Sequence, residues 1–159
     1  MKLVGVIWNS VYGHKEAIIY AIKKHCKIEK CFDIDLKYRL HKFINELYNY
    51  PSEEKWKSEI KYDGLKKYKN RTITVVVIDI VPGKKILNKR KNRMMFENVL
   101  ALKDDIRDKF CYVIKNRKKQ EIYREDCFHI TDDEDEYNQQ IEIVKLYEVQ
   151  YKTGKKICR

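Results

Sequence analysis

The sequence predicts a single α/β domain over residues 1–159: a three-layer, Rossmann-like sandwich around a mainly parallel sheet of four or five strands. Three observations lead there. Apolar runs of strand length alternate along the chain with amphipathic stretches of helical period, the pattern of βα units. The strongest run, Val75-Val76-Val77-Ile78, has no polar break, as expected of a strand covered on both faces at the centre of a parallel sheet. Gly (5) and Pro (2) are too few among 159 residues for a loop-rich all-β fold or a disordered chain.

The elements follow in order. Residues 2–8 form a short apolar first strand. Ala17, Ile18, Ala21 and Ile22 then repeat at helical spacing, and Lys23-Lys24-His25 suits a helix C-terminus, where cations meet the negative end of the dipole. Phe32, Ile34 and Leu36 alternate with Asp33 and Asp35, a second strand. Leu40, Phe43, Ile44 and Leu47 give a helix that Pro51 stops, and Ser52 with Glu53 and Glu54 restarts one. Asp63-Gly64 is expected to break that second helix.

The central strand is read at 72–80, ending in a Val81-Pro82-Gly83 turn. Met95, Val99, Leu102, Ile106, Phe110 and Val113 mark one long helix. Residues 127–130 read as a fourth strand. Thr131 with Glu134 matches a capping box opening a last helix. Between Ile141 and Tyr151 the odd positions are mostly apolar, so helix and strand both stay open for 143–151.

Charge is the strongest compositional signal. The chain carries 35 Lys and Arg against 24 Asp and Glu, a net +11. Such an excess favours polyanionic partners: a nucleotide, another phosphorylated small molecule, or nucleic acid. The cations gather at Lys84, Lys85, Lys89, Arg90, Lys91 and Arg93, and again at Lys115, Arg117, Lys118 and Lys119. No apolar run reaches membrane-spanning length and no leader pattern follows Met1, so a soluble, cytoplasmic protein is expected. The five cysteines are odd in number and contain no Cys-x-x-Cys pair, which predicts reduced, buried thiols rather than disulfides or a zinc site.

In an open parallel sheet, ligands bind outside the carboxyl ends of the strands. Three strand-to-helix junctions would then meet on one edge: residues 9–15, 79–93 and 129–133. Ser10, Gly13 and the following helix N-terminus suit phosphate, with His14 and Lys15 beside them. Asp79, near the end of the central strand, suits a ribose or a Mg²⁺ ion. Lys84 and Arg90 would offset phosphate charge, His129 would act as base, nucleophile or phosphate contact, and Thr131 would add a hydroxyl beside it.

Two family resemblances attach to these residues. Tyr12-Gly13-His14 resembles part of the His-x-Gly-His element of class-I nucleotidyltransferases, whose two histidines stabilise charge on the transferred phosphate; Val11 stands in place of the first. His129-Ile130-Thr131-Asp132 resembles the His-Gly-Ser-Asp segment of nucleoside diphosphate kinases, whose histidine is phosphorylated; Ile130 replaces the Gly. Those kinases use a ferredoxin-like antiparallel sheet, whereas the helix content here favours the parallel one.

The sequence therefore points to an enzyme that transfers a phosphoryl or nucleotidyl group at the carboxyl edge of the sheet, with His14 and His129 as catalytic candidates. The alternative is a non-catalytic basic protein that binds nucleic acid through its Lys/Arg clusters. A third reading is an interaction module for an acidic partner.

Overall fold

A computed structural model describes residues 1–88, 92–115, 121–124 and 126–153. Its order is β1 (Lys2–Ile7), α1 (Lys15–Lys23), β2 (Lys27–Asp35), α2 (Leu40–Tyr48), α3 (Trp56–Lys66) and β3 (Thr72–Asp79). A hairpin of β4 (Lys85–Asn88) and β5 (Arg93–Phe96) leads into α4 (Glu97–Phe110). A second hairpin, β6 (Val113–Lys115) and β7 (Glu121–Arg124), precedes β8 (Phe128–Ile130) and α5 (Glu134–Thr153).

The sheet corrects the expected architecture. Its order is β2-β3-β1-β8, and each neighbouring pair is antiparallel. β1 and β2 are parallel to each other only across the intervening β3. This is the arrangement that the kinase resemblance implied, and neither the parallel sheet nor the Rossmann-like reading stands. Residues Val75 to Ile78 are buried on both faces, as their apolar run required, but two-sided burial fixes the layers and not the direction of neighbouring strands.

The layers follow from the period-2 alternation of the strands. Val4, Val6, Trp8, Ile34, Ile73, Val75 and Val77 pack against α2, α5 and Leu65 of α3. Leu3, Ile7, Val76, Ile78, Phe128 and Ile130 pack against α1 and α4. Gly5 sits where β1 passes closest to its neighbours: a Cβ there would lie 2.9 Å from Val76 Cγ2 and 3.2 Å from the His129 carbonyl.

Several boundaries also moved. Gly64 lies inside α3, which runs on to Lys66. Asn49, in the left-handed region at φ 41°, closes α2 two residues before Pro51. Met95 belongs to β5 and Val113 to β6, so α4 is shorter than the spacing suggested. Residues 143–151 are helical. The cap of α5 is Asp133, whose Oδ1 accepts the Glu136 N–H at 2.9 Å, rather than Thr131. Cys111 and Cys127 form a disulfide, against the expectation of reduced thiols, while Cys26 and Cys31 are free. No helix among the described residues is long and apolar enough to cross a membrane.

Candidate functional site

Antiparallel pairing changes which residues meet. The carboxyl ends of β1 and β8 lie at opposite ends of the sheet, so the three expected junctions share no single edge. Asp79 stands opposite Lys2, at the amino end of β1, whereas His14 follows its carboxyl end. His129 pairs with Val6 and therefore faces the same side as Val6 and Trp8, toward α2 and α5. The exposed His14 lies on the other side, its ring 6.3 Å from Phe110 at the end of α4. The two histidines do not come together.

His129 nevertheless sits in a built environment. Its Nε2 lies 2.8 Å from Oε1 of Gln140 in α5. Gln140 in turn donates from its own Nε2 to Glu136 Oε1 at 3.1 Å, and Glu136 Oε2 accepts the Asp132 N–H at 2.6 Å. This order fixes the proton on His129. The Glu136 carboxylate only accepts, so Gln140 turns its NH₂ toward Glu136 and its carbonyl toward the imidazole. His129 Nε2 must then be the donor, and in the neutral ring the lone pair resides on Nδ1.

Aromatic rings wall the other side. Tyr48, at the end of α2, meets His129 edge-on at 4.8 Å between centroids. It also stacks on Trp8 at 6.4 Å and on Tyr50 at 5.3 Å. Burial pushes the Tyr48 phenol well above its ordinary pKa, so the ring stays neutral. The ammonium of Lys61, from α3, lies 4.6 Å from the centre of that ring and pairs with Asp126 Oδ1 at 2.6 Å. Ser10 joins the same group, donating its hydroxyl to the Asp126 carbonyl at 2.5 Å.

Of the residues singled out by sequence, Ser10 and His129 thus reach one neighbourhood, with Thr131 close by in chain but turned to a structural task. Thr131 is fully buried; its N–H donates to the Val4 carbonyl at 3.0 Å and its Oγ1 accepts the Val4 N–H at 3.1 Å. Gly13 is exposed, in open space. Lys15 lies on the α1 face, paired with Asp33 at 2.7 Å, and that hydrogen bond raises its pKa. Lys84 is exposed, its carbonyl receiving the Glu97 N–H at 2.9 Å. Asp79 pairs with the Met1 amino group at 2.9 Å. Arg90 lies outside the described residues.

Four participants escaped the sequence reading: Gln140, Tyr48, Lys61 and Asp126. Gln140 is eleven positions from His129, a helix turn that only the strand-to-helix reversal brings back. Lys61 and Tyr48 are one lysine and one tyrosine among many, with no local pattern to set them apart. Asp132, part of the His129 segment, is buried and ion-paired with both Lys103 and Arg93. Among the described residues no group of three or more His, Cys, Asp or Glu side chains is arranged to hold a metal ion.

No family model matches the chain, and no curated protein matches it either. Solved structures do. The nucleoside diphosphate kinase of Aquifex aeolicus is 12% identical, with a TM-score of 0.51 over 90% of this chain and 93% of that one. The enzyme from Borrelia burgdorferi, solved as a transition-state mimic with bound vanadate and ADP, is 12% identical over 90% and 85% at a TM-score of 0.45. An NDP kinase from Pyrobaculum aerophilum is 12% identical over 89% and 93% at 0.42. At this identity the likeness to the Aquifex aeolicus enzyme is one of fold: the antiparallel α/β fold of a nucleoside diphosphate kinase. Nothing comparable supports the nucleotidyltransferase resemblance at Tyr12-Gly13-His14.

Proposed function

We propose that this chain is a nucleotide-dependent phosphotransferase in which His129 carries the phosphoryl group. The single observation behind the reading is the His129–Gln140–Glu136 relay, which puts a proton on Nε2 and so makes Nδ1 the nitrogen that would attack. The fold likeness and the resemblance of His129-Ile130-Thr131-Asp132 to the kinase segment agree with it. In the first half-reaction Nδ1 attacks the terminal phosphorus of a nucleoside triphosphate. The P–N bond forms as the bridging P–O bond breaks, and the bonding electrons leave on the diphosphate oxygen. In the second half a terminal oxygen of another nucleoside diphosphate attacks the phosphohistidine and the P–N electrons return to Nδ1. Both steps need positioning and charge neutralisation more than covalent chemistry from the protein. Mg²⁺ would accompany the nucleotide as its counter-ion, and no step is assigned to a metal held by this chain.

The nucleic-acid-binding alternative has less support. Arg93, one of its cluster cations, is engaged by the buried Asp132.

The test is phosphoryl exchange. Purified protein is mixed with terminally labelled ATP, Mg²⁺ and unlabelled GDP, CDP or UDP. Label should appear in the new triphosphate with ping-pong kinetics and vanish in His129→Asn. Exchange by the Asn variant at the wild-type rate would remove His129 from the mechanism, and absence of exchange and of labelling in the wild type would remove the function.

A further inference from the structure

We infer that Lys61 is the cation that receives the transferred phosphoryl group beside His129, resting on Asp126 and Tyr48 until the nucleotide arrives. The inference rests on the phosphotransfer reading above and assigns the charge partner that reading lacks. A phosphoryl group in transfer spreads negative charge over its oxygens, and a cation aimed at them is the main catalytic help a protein can give.

Lys15 and Lys84, which the sequence brought forward, are placed elsewhere, and the buried Lys103 has another partner. Lys15 pairs with Asp33 on the opposite face of the sheet, Lys84 sits at the entry to the β4–β5 hairpin, and Lys103 is ion-paired with the buried Asp132. Lys61 is on the right face and one ring away. Its ammonium lies 4.6 Å from the centre of Tyr48, and Tyr48 lies 4.8 Å from the centre of His129. Two short contacts therefore link the cation to the imidazole through a single neutral aromatic ring.

The resting geometry is suited to exchange. Asp126 precedes His129 by three residues, on the segment that feeds β8, and pairs with Lys61 at 2.6 Å. Its carboxylate is 29% exposed while the Lys61 side chain is only 17% exposed. The ammonium is thus held mostly out of water by a partner that water can take over. A lysine stem with four rotatable carbons can turn from that carboxylate to a phosphoryl oxygen, with the Tyr48 ring as a face along which the cation keeps a favourable contact. An Asp126 carboxylate bound by one cation offers less charge than a phosphoryl group, so the ligand wins the exchange.

The competing account is that Lys61–Asp126 merely ties α3 to the start of β8. Single-turnover labelling at saturating ATP separates the two. In Lys61→Met, which keeps the stem and loses the charge, the labelling rate of His129 should fall by about 100-fold, with half-saturation by ATP changed less. Lys61→Arg should recover much of the rate. Asp126→Asn, which loosens the resting pair, should lower the ATP concentration for half-maximal labelling. Thermal melting of each variant reports folding, and Lys61→Gln serves if Lys61→Met does not fold. Wild-type labelling rates in Lys61→Met, or an Asp126→Asn variant that loses rate in parallel with it, would overturn the inference while leaving His129 phosphorylation in place. No labelling of the wild-type protein would remove both.

Discussion

The Nε2–H of His129 and the side-chain carbonyl of Gln140 meet at 2.8 Å, joining a three-residue strand to the helix that follows it. Because Gln140 is itself oriented by Glu136, one hydrogen bond decides which imidazole nitrogen carries the proton.

Replacing Gln140 by Leu should therefore act on the chemistry of His129. The lost bond and the buried donor it leaves behind cost roughly 1–3 kcal/mol, and if that loss falls on the transition state the phosphorylation rate drops by about five- to 150-fold. The ring ¹⁵N shifts of His129 should move from a pure Nε2–H form to a mixture of tautomers. Unchanged shifts together with an unchanged rate would mean that Gln140 only fills space.

A second expectation concerns the buried charge next to the site. Asp132 is 4% exposed and held by Lys103, which is 3% exposed. Lys103→Met removes the buried cation from that carboxylate and should cost about 3–5 kcal/mol of stability. Lys103→Met combined with Asp132→Leu should cost less than Lys103→Met by itself, because no charge is then stranded. Urea denaturation of the wild type and the two variants measures this, and a double variant no more stable than Lys103→Met would contradict it.

How much of this was legible in the sequence depends on the range of the interaction. The burial of Val75 to Ile78, the helical faces of α1, α2 and α4, and the short strand that carries His129 all follow from local periodicity. The direction of β3 between β1 and β2 does not, since an apolar run reads the same in either direction. The reversal of β8 against β1, equally silent in the sequence, is what put the carboxyl ends that lead to His14 and His129 at opposite ends of the sheet. Thr131 looked like a helix cap beside a histidine, and its hydroxyl is instead bound to Val4 across the sheet. Cys111 and Cys127 have no spacing that suggests a bridge; they meet because α4 and β8 pack together.

That disulfide gives a third expectation. It closes a loop of 16 residues, for which the chain-entropy argument gives about 3 kcal/mol. Alkylation and mass mapping of the unreduced protein should leave Cys111 and Cys127 unmodified while labelling the exposed Cys31. Reduction should open both to reagent and lower the melting temperature. Modification of Cys127 without reduction would exclude the bridge.

Gly5→Ala should destabilise the sheet at the point where β1 carries β8. The new methyl would meet Val76 Cγ2 at 2.9 Å and both Phe128 Cε2 and the His129 carbonyl at 3.2 Å, an overpacking that costs roughly 1–3 kcal/mol. A thermal or urea midpoint equal to that of the wild type would show that the strands separate freely there.

The acid side of the stability curve should depend on Asp33. Burial alone would raise its pKa, but hydrogen bonds from Lys15, Thr74 and Tyr12 outweigh burial and hold it below the ordinary 3.8. A carboxyl lowered on folding contributes stability above its unfolded pKa and loses it as pH falls through the folded one. Asp33→Asn should therefore be less stable than the wild type near neutrality, with the difference shrinking below about pH 4. Midpoints measured across that range check it; a gap that is constant with pH would contradict the assignment.

The central claim is that phosphate rests on His129. Intact-mass analysis after brief exposure to ATP and Mg²⁺, followed by peptide mapping at alkaline pH where phosphohistidine survives, tests it most directly. The account predicts one added phosphoryl group on the peptide containing His129, discharged by adding a nucleoside diphosphate and absent from His129→Asn. A protein that gains no phosphoryl group, or gains it on a peptide without His129, would contradict it.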